Sequence, residues 1–346
     1  MTTRTPLPWQ LELAKNFRDP VAMRKALGLT QEPLPGRESP PSPATPGAAP
    51  FPLRVPRGYV ARMQRGNPND PLLKQVLPVA EEDIGVPGYT RDPLNERAAL
   101  HAPGVLHKYR GRVLLLTTAA CAIHCRYCFR RHFSHGGEGL FDGDTGNRCL
   151  SHRHLGAALA YIRRENTIRE VILSGGDPLC LPDERLAPLA KGLADIPHVQ
   201  RLRIHTRLPI VLPERVDEAL LAWLTRTRLH TAVVIHANHP NEIDDNVEKA
   251  LLRLRTGGIA VLNQSVLLGG INDDGQTLAR LNEQLFAIGT LPYYLHMPDP
   301  VVGSQRFAVR EQRAKAIMTE LRTRLPGYLV PQLVREVAGA KYKIPL

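Results

Sequence analysis

Apolar positions in the last two-thirds of the chain follow two alternating periodicities. Short runs rich in Val, Leu and Ile fall at 113–117, 171–173, 202–205, 232–236, 260–268 and 293–295, the pattern of buried strands. Between them apolar residues recur at helical spacing. Residues 244–256 show this best, with Val247, Ala250, Leu251 and Leu254 at i, i+3, i+4 and i+7 and Gly257-Gly258 as a stop. After a longer first crossover the strands return about every 30 residues, the length of one strand–helix unit. Six such units predict an α/β fold, a parallel sheet curved into an incomplete TIM-like (β/α)6 barrel. Chemistry in such a barrel gathers at the C-terminal ends of the strands.

The N-terminal third is patterned differently. Residues 9–29 predict a short amphipathic helical region inside an N-terminal segment, 1–32. Residues 33–56 are dominated by Pro, Ala, Ser and Gly, a composition suited to a linker or an extended arm. Residues 57–107 read as a lead-in of short helical or irregular pieces. The barrel is expected over 108–300, followed at 301–346 by a helix and a lysine-bearing tail.

Composition narrows the class only modestly. At 346 residues with 43% hydrophobic and 23% charged residues, the chain is long enough for a large core and is ordinary for a soluble protein. No apolar run approaches the roughly 18 residues of a membrane span. No apolar secretory region follows Met1, so the cytoplasm is the expected compartment. The net charge of +12 would suit nucleic acid or anionic ligands. No Lys-rich tract or aromatic-interleaved basic patch localises it, so a nucleic-acid partner is not expected.

The candidate chemistry begins at Cys121-Ala-Ile-His-Cys125-Arg-Tyr-Cys128. Thiolates at C-x3-C-x2-C can hold three irons of a [4Fe–4S] cube and leave the fourth iron without a protein ligand. A structural zinc site is the competing reading, with His124 or His132 as fourth ligand, since Cys149 and Cys180 are isolated in the sequence. A disulfide framework fits poorly with an odd total of five cysteines. Cys121 follows the first predicted strand, and Ser174-Gly175-Gly176-Asp177-Pro178 follows the second. Two glycines there would let the backbone approach a ligand closely.

The cysteine spacing resembles the radical SAM superfamily, whose open iron binds S-adenosylmethionine (SAM). Further motifs resemble the lysine 2,3-aminomutase family within it. They are Tyr109-Arg-Gly-Arg112 before the first strand, Phe129-Arg130-Arg131-His-Phe133 after the cysteines, and His236-Ala-Asn238-His239-Pro240. Asn263-Gln264-Ser265, Tyr293-Tyr294-Leu-His-Met-Pro-Asp299 and Lys343-Ile-Pro-Leu346 complete the set. The likeness runs from about residue 90 to the C-terminus.

The resemblance implies cluster ligation by Cys121, Cys125 and Cys128, with SAM held by Gly175, Gly176, Asp177, His236 and Gln264. It implies a second cofactor, pyridoxal 5′-phosphate (PLP), bound as a Schiff base to Lys343, with Lys108, Tyr109 and Arg112 around its phosphate and ring. Arg130 would take the substrate carboxylate, and Asp299 and Glu336 the far ammonium of L-lysine. Glu336 stands where the lysine mutases carry aspartate, and Lys108 where they carry arginine. An external electron donor is required. The segments 51–58 and 66–73, and an end directly after the lysine motif, resemble the branch that makes (R)-β-lysine for elongation factor P and its lysyl-tRNA-synthetase-like ligase. That ending is expected to favour a monomer or weak dimer. A catabolic aminomutase, a tRNA-modifying radical enzyme and a zinc-stabilised scaffold are the alternatives.

Overall fold

The structure is a computed structural model describing residues 6–29, 51–132, 141–142 and 149–346. Most of the proline-rich stretch and Phe133 lie outside the described residues. The strands are β1 (Leu100–Ala102), β2 (Val105–Tyr109), β3 (Arg112–Thr118), β4 (Phe141–Asp142), β5 (Cys149–Leu150), β6 (Glu170–Gly175) and β7 (Arg201–His205). They continue with β8 (His230–Ile235), β9 (Ala260–Val266), β10 (Leu291–His296), β11 (Gln332–Arg335) and β12 (Ile344–Pro345). One sheet contains all of them, in the order β1-β2-β3-β6-β7-β8-β9-β10-β11-β12 with β4 and β5 appended to β3.

From β3 to β11 the path is parallel throughout. The six predicted strands are all present, and β11 adds a seventh to the parallel series. Its four residues, Gln332 to Arg335, give too short a run to register as periodic in the sequence. The C-terminal segment is therefore part of the barrel wall. The antiparallel hairpin β1–β2 was also not anticipated; it turns at Gly104, whose φ of +73° favours glycine.

The helices are α1 (Pro8–Ala14), α2 (Pro20–Ala26), α3 (Arg57–Ala61), α4 (Pro71–Lys74), α5 (His152–Arg164) and α6 (Asp183–Ala194). They continue with α7 (Leu208–Val211), α8 (Glu218–Thr225), α9 (Asp245–Thr256), α10 (Gly275–Ala287) and α11 (Glu311–Arg324). Local chemistry explains where several crossover helices begin. Ser151, Asp217, Asp244 and Asp274 each accept a backbone N–H of the first turn of α5, α8, α9 and α10. In α9 the periodic residues Val247, Ala250, Leu251 and Leu254 are all buried, as their spacing requires. None of the described helices is long and apolar enough to cross a membrane.

Strand residues alternate between two destinations. Val113, Leu115, Val171, Leu173, Leu202, Ile204, Val233 and Val261 join one apolar core with helix residues such as Leu189, Leu193, Leu220 and Leu251. The other face carries Arg112, Glu170, Ser174, Arg203, His205 and Gln264, which line a cavity instead of an apolar centre. The sheet's ends, β1 and β12, do not pair with each other. Near that gap a side-chain ion pair, Lys108 Nζ to Glu336 Oε1 at 2.9 Å, links β2 to the residue after β11.

The last part of the predicted linker is ordered and packed. Leu53 and Val55 are buried, and Val55 forms an antiparallel bridge with Phe17. Leu53 and Val55, with Pro56 also buried, decide its packing.

Candidate active site

One cavity of about 530 Å³ runs along the inner face of the sheet, from Arg112 and Glu170 at the starts of β3 and β6 to the loops that follow those strands. Every site residue named from the sequence lines it: the cysteines at 121, 125 and 128, then Lys108, Tyr109, Arg112 and Arg130. Gly175, Gly176, Asp177, His236, Gln264, Asp299, Glu336 and Lys343 complete them. Lys108 on β2 and Lys343 before β12, far apart in sequence, border the same cavity because Glu336 after β11 pairs with both.

The cysteines occupy the loop after β3, and the N-terminal segment holds that loop by its backbone. Arg54 donates to Cys121 O at 2.9 Å, and Asn16 Nδ2 donates to Ala122 O at 2.7 Å. His124 N donates to Arg54 O at 2.9 Å, and Arg126 N donates to Gln75 O at 2.8 Å. The Arg126 guanidinium also lies over the Phe51 ring and pairs with the buried Glu82, as does Arg131. Burial and neighbouring thiols, Cys180 foremost, push the Cys121 thiol well up. Burial and then Cys125 push Cys128 to about 11. Metal would have to displace those protons. Among the described residues no three His, Cys, Asp or Glu side chains gather around a single ion position. All three thiols line the one cavity, where each could ligate a separate iron of a cube.

Gly175 and Gly176 serve a purpose the sequence did not reveal. A Cβ at Gly176 would lie 2.2 Å from Ala120 O, and one at Gly175 would lie 2.5 Å from Thr118 O. The pair lets the end of β6 press against the backbone leading into Cys121; Asp177 N donates to Ala120 O at 2.7 Å. The close approach is therefore first to protein. Asp177 is likewise engaged: its carboxylate accepts from Thr206 Oγ1 and from Arg207 N, each at 2.7 Å. Burial still pushes Asp177 up to about 6. His236 Nε2 lies 3.0 Å from Tyr127 Oη, and the two rings stack.

A second group of residues surrounds Lys343. The loop from Glu336 to Lys343 joins β11 to β12, and Arg335 pairs with Ile344 across that hairpin. Glu336 and Lys343, seven positions apart in sequence, thus become neighbours, and their side chains form an ion pair. Glu336 also binds Lys108. Burial works against its charge, yet Lys343 and Lys108 hold it far below the usual carboxylate range. Lys108 in turn binds Glu96 at 2.9 Å, and Glu96 accepts two hydrogen bonds from Arg130, at 2.7 and 2.9 Å. Burial raises the Glu96 pKa, but Arg130 and Lys108 outweigh it and bring it to about 2. Asp299 follows the opposite course. Burial, then Glu336, pushes it up to about 7 despite Lys343 and Lys108. Arg112 stacks over the Tyr109 ring at 4.7 Å.

Sequence motifs missed four participants. Glu96 carries no motif, yet it orders both Lys108 and Arg130. Arg203 and His205 project into the cavity from β7, and Arg203 Nε and His205 Nε2 are buried without a hydrogen-bond partner. Arg207 follows them, fully buried against Cys125, Tyr59, Gln75 and Glu242. The alternating Arg203, His205, Arg207 was visible as period-2 polarity, inside a run that otherwise reads as a buried strand.

Residues 115–281 match the family model described as the Radical SAM superfamily. The chain is 44% identical over 350 residues to the L-lysine 2,3-aminomutase of Escherichia coli (strain K12), covering 100% of this chain and 97% of that protein. It is 43% identical over 335 residues to the L-lysine 2,3-aminomutase of Haemophilus influenzae, covering 97% of this chain and 94% of that protein. To the L-lysine 2,3-aminomutase of Clostridium subterminale it is 36% identical, covering 83% of this chain and 67% of that protein. A radical SAM methyltransferase from Sphaerobacter thermophilus superposes with a TM-score of 0.46 at 17% identity, covering 67% of this chain and 68% of that one. With the cysteine loop, the barrel and full-length likeness in agreement, the chain belongs to the L-lysine 2,3-aminomutase family of the radical SAM superfamily.

Proposed function

We propose that this protein converts L-α-lysine to β-lysine, using a [4Fe–4S] cluster, SAM and PLP. The observation that carries this reading is the sharing of one cavity by the three-cysteine loop and the Lys343–Glu336–Asp299 group. Cys121, Cys125 and Cys128 are the ligands for the cluster. Gly175, Gly176, Asp177, His236 and Gln264 border the space for SAM. Lys343 is the amine for the PLP aldehyde, with Tyr109 beside the ring. Arg112 and Arg203 both line the cavity and are the further cations for a phosphate, Arg203 from its pair with Glu170 at 3.0 Å. Lys108 is held by Glu96 and Glu336, so its charge acts on the phosphate from within a network.

When bound, these groups would supply a one-electron cleavage that makes a carbon radical, and a conjugated ring that carries the migrating nitrogen. The chain's own residues select and orient the amino acid. Glu96 holds the Arg130 guanidinium in the cavity wall, so a substrate carboxylate meets a cation already oriented. Asp299 and Glu336 receive the far ammonium. Two carboxylates in a buried site repel an acidic side chain by several kcal/mol, about what charges a few ångströms apart give at reduced dielectric. Ammonium binding at Asp299 displaces the carboxyl proton that burial favours there.

The deciding experiment is anaerobic incubation of reconstituted protein with SAM, PLP, dithionite and lysine. β-Lysine is the expected product; intact lysine beside cleaved SAM would overturn the substrate assignment. The further reading, that β-lysine serves elongation factor P, is supported by the resemblance of 51–58 and 66–73 to that branch. A coupled assay with the factor and its ligase tests it against turnover of free lysine alone. An electron donor of low potential is required in either case, and a cytoplasmic setting suits an oxygen-sensitive cluster.

A further inference from the structure

We propose that Arg207 sets the reduction potential of the cluster held by Cys125, with Glu242 as the opposing charge. The inference rests on the cluster reading above and adds to it a residue that no sequence motif singled out.

Arg207 enters the cavity wall directly after β7, where Asp177 seats its backbone N–H at 2.7 Å. Its Nη1 donates to Cys125 Sγ. Its Nη2 is shared among Tyr59 Oη at 3.2 Å, Gln75 Oε1 at 2.8 Å and Glu242 Oε2 at 3.0 Å. The guanidinium also faces the rings of Tyr59 and Tyr127. Arg207 and Glu242 are buried, so solvent screens neither charge.

Such a cation does more than hold a loop. Reducing the cluster adds one negative charge beside Cys125. A guanidinium hydrogen-bonded to that sulfur stabilises the added charge and draws density from the thiolate, which raises the potential. Glu242 accepts from the other terminal nitrogen of the same guanidinium and offsets part of its field. Gln75 and Asn238, which bond to Glu242 and to each other, fix that carboxylate in place. Two neutralising substitutions should therefore move the potential in opposite directions, which loosening of the loop would not do.

The test is an EPR-monitored redox titration of anaerobically reconstituted protein. Arg207→Gln should lower the midpoint, by about 59 mV if the reduced-to-oxidised ratio at fixed potential falls tenfold. Glu242→Gln should raise it by a smaller amount. Arg207→Lys, which keeps the charge, should stay nearer the parent than Arg207→Gln. If Arg207→Gln fails to fold around an unpaired Glu242, the double variant Arg207→Gln/Glu242→Gln replaces it and should still titrate below the parent. Shifts of the same sign in both single variants, or no shift in either, would overturn the proposal. Parent protein that takes up no iron would instead overturn the cluster reading itself.

Discussion

The thiol group and the amine group of the cavity are built on different principles. Around the cysteines the protein acts on backbone: Arg54, Asn16, Gln75 and the Gly175-Gly176 turn all bond to or press against main-chain atoms of the loop. Around Lys343 it acts on charge, through a chain of side-chain pairs from Arg130 through Glu96, Lys108 and Glu336 to Lys343. The first arrangement fixes where three sulfurs stand. The second leaves ionic partners that an incoming phosphate, aldehyde or ammonium can exchange. Under the proposed function a ligand loop benefits from rigidity and a substrate site from replaceable partners, and one cavity would hold both.

The comparison is broken most completely by removing each group's central atom. Cys125→Ala should reduce iron from about four per chain to near none, while PLP still forms a borohydride-locked adduct at Lys343. Lys343→Ala should do the reverse, with full iron and no adduct. Loss of both properties in either variant would mean the two groups are not separable.

A smaller effect is expected from single contacts. Asp299→Asn removes one charged partner of the ammonium and should weaken lysine binding by about 1.5–3 kcal/mol, roughly 10- to 150-fold, with PLP binding unchanged. The parent carries its own pH test. Burial and Glu336 push Asp299 up to about 7, so lysine affinity should fall as pH drops from 8 to 6, and the asparagine variant should lack that fall between the same limits. Calorimetric titration of lysine at several pH values measures both.

Gly176→Ala tests the backbone principle, because its Cβ would meet Ala120 O at 2.2 Å. It should cost about 1–3 kcal/mol of stability by chemical denaturation, together with lower iron occupancy and an unaltered Lys343 adduct. The mildest test concerns Glu96, whose folded value near 2 lies below the usual one. Its pairs therefore contribute stability at neutral pH that is lost as pH falls from about 4.3 toward 2. Glu96→Gln should flatten that acid slope in thermal melts, and an unchanged slope would remove Glu96 from the network's energetics.

Much of this molecule was legible before any fold was known. Strand positions followed from apolar runs and α9 from its spacing and glycine stop, because those patterns reflect local burial. The cysteine loop and Lys343 were marked by spacing and by family motifs. Glu96 was not legible: it opens a short 3-10 helix, Glu96–Ala99, and its importance arises from contacts with residues 12 and 34 positions away. Arg207 was hidden because its partners come from the lead-in region, the cysteine loop and the loop after β8. The strand β11 was too brief to show a period. The packing of the glycine pair against the backbone before Cys121 was not legible, since the sequence does not tell which backbone will approach it.

The sequence by itself determined the parallel barrel, the three-cysteine loop and the lysine-bearing tail, since each depends on spacing within a short stretch. The tertiary structure decided which charges meet. Glu336 faces Lys343 through a hairpin register, Glu96 joins two distant cations, and Arg207 reaches Cys125 across the cavity wall. Electrostatic pairing acts through space over a few ångströms, and the chain must close its sheet before those distances exist.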